Sequence, residues 1–321
     1  MRALALTLIA AAAIAQPRAV TVSADNSGDF PTVGAALDSG ASVIRIKPGT
    51  YKQVLNITRS GVQLRGLGAS PQDVVLTFDN SSATAGGTTK SASVTVSGDD
   101  FHAENLTFEN SYSRTRPLSQ EGSQAVAIKI TGDRAVFRRV RFLGYQDTLY
   151  PNGRRCETDR GPCDPARQYF SECYIEGNVD FIFGDAIAYF DRCEIHALPH
   201  ALVYLTAQSK HYAEEKSGYV FDHCRITAAP GTKVYLGRPW RAYSTVVFLD
   251  TEMPAEIVAE GWHEWEHDGK PSLPTSFYAE YHSTGPGANP SRRQLTREEA
   301  ARFSLKNFLA GDDQWDPTKV H

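Results

Sequence analysis

Phe137-Arg138-Arg139-Val140-Arg141-Phe142 is followed by Phe170-Ser171-Glu172-Cys173-Tyr174-Ile175, Phe190-Asp191-Arg192-Cys193-Glu194-Ile195 and Phe221-Asp222-His223-Cys224-Arg225-Ile226. One apolar pattern, Phe-x-x-(Val/Cys)-x-(Phe/Ile), thus recurs along the chain. With Phe108 included, its closing positions Phe108, Phe142, Ile175, Ile195 and Ile226 are 34, 33, 20 and 31 residues apart. A base coil of about 20 residues carrying inserted loops accounts for that irregular spacing. Between the anchors lie short, alternating, β-branched runs such as Val43-Ile44-Arg45-Ile46, Val62-Gln63-Leu64, Val94-Thr95-Val96 and Ala127-Ile128-Lys129-Ile130. Their period and composition are those of strands. No amphipathic helix between them is long enough for a βαβ crossover, which argues against a doubly wound sheet. The expected fold is all-β, a single-stranded right-handed parallel β-helix with short capping helices at its ends.

The ends of an open solenoid need covers. Pro31 to Ser39, with Val33, Ala36 and Leu37 on one face, is expected to form an N-terminal capping helix. Thr296 and Glu299 have the capping-box spacing that opens a helix near the C-terminus. The aromatic-rich stretch from Pro254 to Pro290 is expected to pack along the coils as irregular structure.

Register within the repeat gives the first indication of chemistry. Asp147 stands five residues past Phe142, and Asp180 stands five residues past Ile175. If consecutive repeats stack as coils, these carboxylates lie about one strand spacing apart, ~4.8 Å. Two buried acids so close cannot both ionise cheaply, so one holds a proton or a cation stands beside them. An ionised carboxylate can act as a nucleophile, and a protonated neighbour as a general acid and then a base. Arg238, in Leu236-Gly237-Arg238-Pro239-Trp240, is a candidate fork-shaped partner for one carboxylate. The amide N–H groups of Gln124 and Gln146 suit an oxyanion. Tyr150 and Phe183 each follow an aspartate by three residues and, with Trp240, offer aromatic surface for the apolar faces of sugar rings.

Composition bounds the rest. The chain has 321 residues, 41% hydrophobic and 22% charged, with a formal net charge of −4. It carries no general basic excess for nucleic acid or anionic membranes. Met1-Arg2, the apolar run from Ala3 to Ala15 and the small-x-small Ala13-Ile14-Ala15 read as a secretory leader over residues 1–15, leaving residues 16–321 as one domain. The run is too short to span a bilayer. A secreted chain, extracellular or periplasmic and working as a monomer, is expected. Of five cysteines, Cys156 and Cys163 could close a small loop, while Cys173, Cys193 and Cys224 share one repeat position and are expected to form a buried ladder.

Gly49-Thr50-Tyr51, Gln124-Ala125-Val126-Ala127, Gln146-Asp147-Thr148-Leu149-Tyr150, Asp180-Phe181-Ile182-Phe183-Gly184 and Leu236-Gly237-Arg238-Pro239-Trp240 together resemble the motifs of the pectinesterase family, in the family's order. The resemblance covers roughly residues 20 to 285. It implies a right-handed parallel β-helix that hydrolyses methyl esters on the galacturonate units of pectin, without a metal or other cofactor. By motif, Asp180 matches the family's nucleophile, Asp147 its general acid/base, and Gln124 and Gln146 its oxyanion donors. Arg238 matches the residue that hydrogen-bonds the nucleophile. Trp240, Tyr150, Phe183 and Val179 match substrate-contact positions. One departure is Gln53, where the family's first block usually ends in Glu.

Other features of the chain point to rival readings. His263-Glu264-Trp265-Glu266-His267 formally matches a zinc signature, but that motif needs a sustained helix, and Gly261 and Asp268-Gly269 leave little room for one. A lyase on the same architecture would need a calcium cluster, and a non-catalytic polysaccharide-binding β-helix would not need the full set of polar residues. No Gly-x-Ser-x-Gly elbow supports a serine esterase.

Overall fold

The computed structural model describes residues 18–114, 116, 121–154 and 166–320, and these wind into a right-handed parallel β-helix. The first sheet has ten strands, from Ala19–Val22 to Phe277–Tyr281. The second has seven, from Gly49–Lys52 to Arg225–Ala228, and the third also has seven, from Leu55–Ile57 to Val234–Gly237. The ladders are parallel, so each coil donates to and accepts from the coils on either side.

The repeated phenylalanine sets this register. Phe137, Phe170, Phe190, Phe221 and Phe248 pair in succession along the first sheet. Inside the solenoid their rings stack with centroids 4.9, 4.7, 4.5 and 4.7 Å apart. Phe108, Phe142, Ile175, Ile195 and Ile226 form the matching column of the second sheet. Cys173, Cys193 and Cys224 are free, buried and in contact as a column, as their shared repeat position predicts. The expected leader over residues 1–15, Cys156 and Cys163 all lie outside the described residues.

A single residue turns each corner between the first and second sheets. Asn105, Arg139, Glu172, Arg192, His223, Asp250 and His282 occupy equivalent corners and all have φ between 45 and 55°. This left-handed conformation is costly for residues with a Cβ, typically about 1–2 kcal/mol. It is retained because the corner N–H still reaches the next coil: Arg139 donates to Ser171, Glu172 to Asp191 and Arg192 to Asp222.

Both ends are covered. Thr32 caps a helix over Val33–Asp38 that buries Val33 and Ala36, and Gln53 Oε1 accepts from the Gly34 N–H at 3.1 Å. The residue that departs from the family motif therefore ties the N-terminal cap to the coil. At the other end Thr296 and Glu299 form the expected capping box of the Arg297–Ala301 helix. The stretch from Pro254 to Pro290 is less irregular than expected. Its Phe277–Tyr281 segment is the tenth strand of the first sheet, because alternate residues Tyr278 and Glu280 can enter the interior while the backbone pairs with Thr245–Leu249. Leu309, Phe303, Phe308 and Trp315 then close over the outer face of that sheet. Arg167, buried, binds Asp133 and Asp313 with its guanidinium and fixes this cover to the coils.

The stack makes Phe190 a sensitive position, with ring partners above, below and at its edge. Phe190→Ala is expected to destabilise the fold by roughly 3–5 kcal/mol, measured as a lowered midpoint in urea unfolding.

Candidate active site

Each of the two aspartates leads into a strand of the third sheet. Asp147 lies just before Leu149–Pro151 and Asp180 just before Ile182–Gly184, and these strands pair through Leu149 and Ile182. Each aspartate occupies a left-handed corner, with φ of 63° and 51°. Asp147 donates its backbone N–H to Val179 O at 3.1 Å, so the corner stays hydrogen-bonded to the next coil. Strain of this kind collects at functional sites, where surrounding structure over-determines the backbone. The two acids are thus brought together as their repeat positions predict, and both are more than nine-tenths buried.

Arg238 reaches Asp180 from the end of the Val234–Gly237 strand. Its Nε donates to Oδ1 at 2.8 Å and its Nη2 to Oδ2 at 2.6 Å, a bidentate fork. Among the described residues Asp147 has no such partner. Burial pushes its carboxyl well above the usual aspartate range, the charge of Asp180 pushes it further, and Arg238 offsets only part of this. Burial also raises Asp180, but the Arg238 hydrogen bonds and charge act against the rise. The guanidinium, by touching only Asp180, favours the negative charge on Asp180 and the proton on Asp147.

Gln146 immediately precedes Asp147, and Gln124 stands on the coil before it, where Ala125 N–H donates to Gln146 O at 3.2 Å. The Asn110 amide holds this stretch in place by donating to Asn80, Ser91 and Val126 carbonyls. Among the described residues no group accepts from either glutamine amide, and Gln124 Oε1 is buried without a partner. The amides are thus free to meet a ligand.

Beside the acids lies an apolar cluster of Ala92, Val126, Tyr150, Phe183 and Ala207, with Trp240 and Trp265 against it. Tyr150 and Phe183 stack at 4.1 Å, and Trp240 meets Phe183 edge-on at 6.0 Å. Tyr150 and Phe183 are each only 5% exposed, so they form the floor, while the half-buried Trp240 offers more of its surface. Val179 is half-buried beside Asp180, its carbonyl used by Asp147. Lys129 lies over Tyr150 and Arg241 over Trp240, placing two cations at the rim.

Two residues escaped the sequence reading. Tyr204 stands level with Asp180, because Ile182 pairs with Thr206, and its ring lies 4.1 Å from the Arg238 guanidinium carbon. Trp265 lies 4.2 Å from the same carbon. Tyr204 belongs to a coil of a different length from its neighbours, and Trp265 arrives from outside the repeat, so repeat counting finds neither. The His-Glu-x-x-His run that contains Trp265 is not helical. His263 Nδ1 meets the Glu264 carbonyl, while His267 pairs through its backbone with Lys270, so the zinc-signature geometry does not form.

Paired carboxylates beside stacked aromatic rings on a right-handed parallel β-helix fit the class of carbohydrate-active enzymes. The pectinesterase family model matches residues 19–312. Pectinesterase 31 of Arabidopsis thaliana is 39% identical over 319 residues, covering 92% of this chain and 93% of the relative's own length. The probable pectinesterase/pectinesterase inhibitor 17 of the same plant is 38% identical, and the chain spans only 58% of that longer protein. Among solved structures, pectin methylesterase from carrot superposes with a TM-score of 0.80 at 30% identity, covering 94% of this chain and 96% of that one. A pectin methylesterase in complex with a hexasaccharide superposes with a TM-score of 0.79 at 32% identity, covering 92% and 97%. The chain belongs to the pectinesterase family.

The raised pKa of Asp147 has a stability consequence. As pH rises through the ordinary aspartate range near ~4, the unfolded chain releases this proton while the folded chain keeps it, so stability falls with pH until Asp147 itself ionises. Asp147→Asn lacks that cost. Its Tm is expected to exceed that of the wild type by more at pH 8 than at pH 4, in paired thermal melts.

Proposed function

We propose that this enzyme removes methyl esters from pectin, with Asp180 as nucleophile and Asp147 as general acid and then base. The observation that carries the reading is the bidentate Arg238–Asp180 pair beside a second, unpaired buried acid. The substrate follows from family membership and from the aromatic floor next to the acids. One Asp180 oxygen attacks the C6 carbonyl carbon of a methyl galacturonate, and the carbonyl electron pair moves onto oxygen. The Gln124 and Gln146 amide N–H groups hold that oxyanion. Collapse expels the methoxy oxygen, which takes the Asp147 proton and leaves as methanol. Asp147, now a carboxylate, removes a proton from water. The resulting hydroxide attacks the acyl carbon of the mixed anhydride, the bond to Asp180 breaks as its electron pair returns to the Asp180 carboxylate, and the galacturonic acid is released and gives its proton to solvent. Arg238 keeps Asp180 ionised and oriented at both ends of the cycle. Trp240, Tyr150, Phe183 and Val179 shape the sugar-binding surface.

All groups invoked lie on one chain, which supports a monomer as the working unit. A leader over residues 1–15 and a polysaccharide substrate support a secreted enzyme, extracellular or periplasmic. No helix among the described residues is long and apolar enough to cross a membrane.

The test is methanol release from highly methylated pectin. Asp180→Asn is expected to lower the rate at least ~10³-fold, and loss of one glutamine donor by roughly 10²–10³. An unsaturated, ultraviolet-absorbing product without methanol would support a lyase instead, and pectin binding with no product would support an inert binder. The pH–rate profile is expected to be bell-shaped. Activity falls on the acid side as Asp180 is protonated and on the alkaline side as Asp147 loses its proton, with both limbs above the ordinary aspartate range because burial raises both acids.

A further inference from the structure

His263-Glu264-Trp265-Glu266-His267 has no part in the chemistry above, yet it is built against the one cation that the chemistry needs. His263 N–H donates to Gly237 O at 3.0 Å, and Trp262 bridges to Gly237, so the segment is attached to the strand end that carries Arg238. The Glu264 carboxylate accepts from the backbone N–H of Trp265 at 2.9 Å, Ser272 at 2.7 Å and Leu273 at 3.2 Å. One carboxylate thus fixes the loop on both sides of the turn. The His263 ring meets Tyr204 and Tyr235 edge-on, at 5.3 and 4.9 Å, and those two tyrosines stack at 5.5 Å. The outcome is that the Arg238 guanidinium carbon lies over the Tyr204 ring at 4.1 Å and over the Trp265 ring at 4.2 Å.

We propose that Trp265 and Tyr204 are positioning residues, held by His263 and Glu264, that keep the Arg238 guanidinium flat between ring faces so that its fork stays aligned on Asp180.

The physical reason is the freedom of an arginine side chain. Two hydrogen bonds to a carboxylate define the fork, but a long flexible stem lets it tilt, and water competes for each N–H. Aromatic faces attract the guanidinium and exclude that water. A small misalignment at a reacting group is expensive in rate. Tyr204 is only 6% exposed, so its ring is held by packing and offers the guanidinium a fixed face.

The inference rests on the reading of Asp180 and Arg238 given above, and the experiment separates the two. Methanol release is measured across pH for Trp265→Leu, Trp265→Phe, Tyr204→Leu, Tyr204→Phe and Asp180→Asn, each checked for folding by circular dichroism. Both Leu variants are expected to lose about 10-fold in kcat, with KM changed less than ~2-fold. Their acid limb moves to higher pH, because a loosened guanidinium holds Asp180 ionised less well. Both Phe variants retain most of the activity, since each keeps a ring face. The inference is overturned if the Leu variants raise KM while kcat and the acid limb stay put, which would make the rings a substrate surface. It is also overturned if they match the wild type while Asp180→Asn is inactive. An active Asp180→Asn would instead remove the underlying reading. Should Trp265→Leu fail to fold, the Tyr204 pair decides alone.

Discussion

Each coil of this solenoid can satisfy its backbone N–H and C=O groups only by pairing with the coils beside it, and that pairing decides which side chains become neighbours. The interior column from Phe137 to Phe248 locks the register, because a slip of one residue would turn every ring outward. The same register carries the corner residues. A left-handed corner costs backbone strain, but it changes direction in one residue without losing the interstrand hydrogen bond. Asp147 and Asp180 use this device where the second sheet gives way to the third. The active-site pair is thus a variation on the structural corner, with two acids placed level with Val126 and Tyr204 of the flanking coils.

The arrangement is unfavourable for stability and useful for chemistry. Burial opposes ionisation of both acids, and each would destabilise the other's charge. Arg238 resolves this by binding only Asp180. A buried bidentate pair is weak support for a fold, because desolvation of the two charges offsets most of their attraction. Its value is that it assigns different protonation states to chemically identical groups. The surrounding residues serve that assignment: the Asn110 amide steadies the Gln124 stretch, Tyr150 and Phe183 stack beside the acids, and Tyr204 and Trp265 confine the guanidinium.

Much of this was legible in the chain before any coordinates. The phenylalanine repeat gave the architecture, the matched offsets of Asp147 and Asp180 gave the pair, and Thr296 with Glu299 gave the C-terminal helix start. Other features were hidden for identifiable reasons. Phe277–Tyr281 sits in an aromatic, proline-flanked stretch whose strand character depends on the edge offered by Thr245–Leu249. Gln53 could be marked as a departure from the motif, but its partner Gly34 belongs to the cap, and only packing brings the two together. The His-Glu-x-x-His spelling could be set aside from Gly261 and Asp268-Gly269, which leave little room for its helix, and the run is not helical, but its packing against Arg238 could not be read from the spelling.

What the sequence by itself determined was periodicity and chemistry: a coil length, an apolar column, and acids, amides and an arginine in a recognisable order. Those are properties of local spacing, because a period-two strand exposes or buries its residues according to position alone. Only the tertiary structure decided which acid takes the arginine and which keeps the proton, and which rings frame the guanidinium. Those outcomes depend on distances across coils of unequal length, and on burial. Neither is encoded at any fixed separation along the chain.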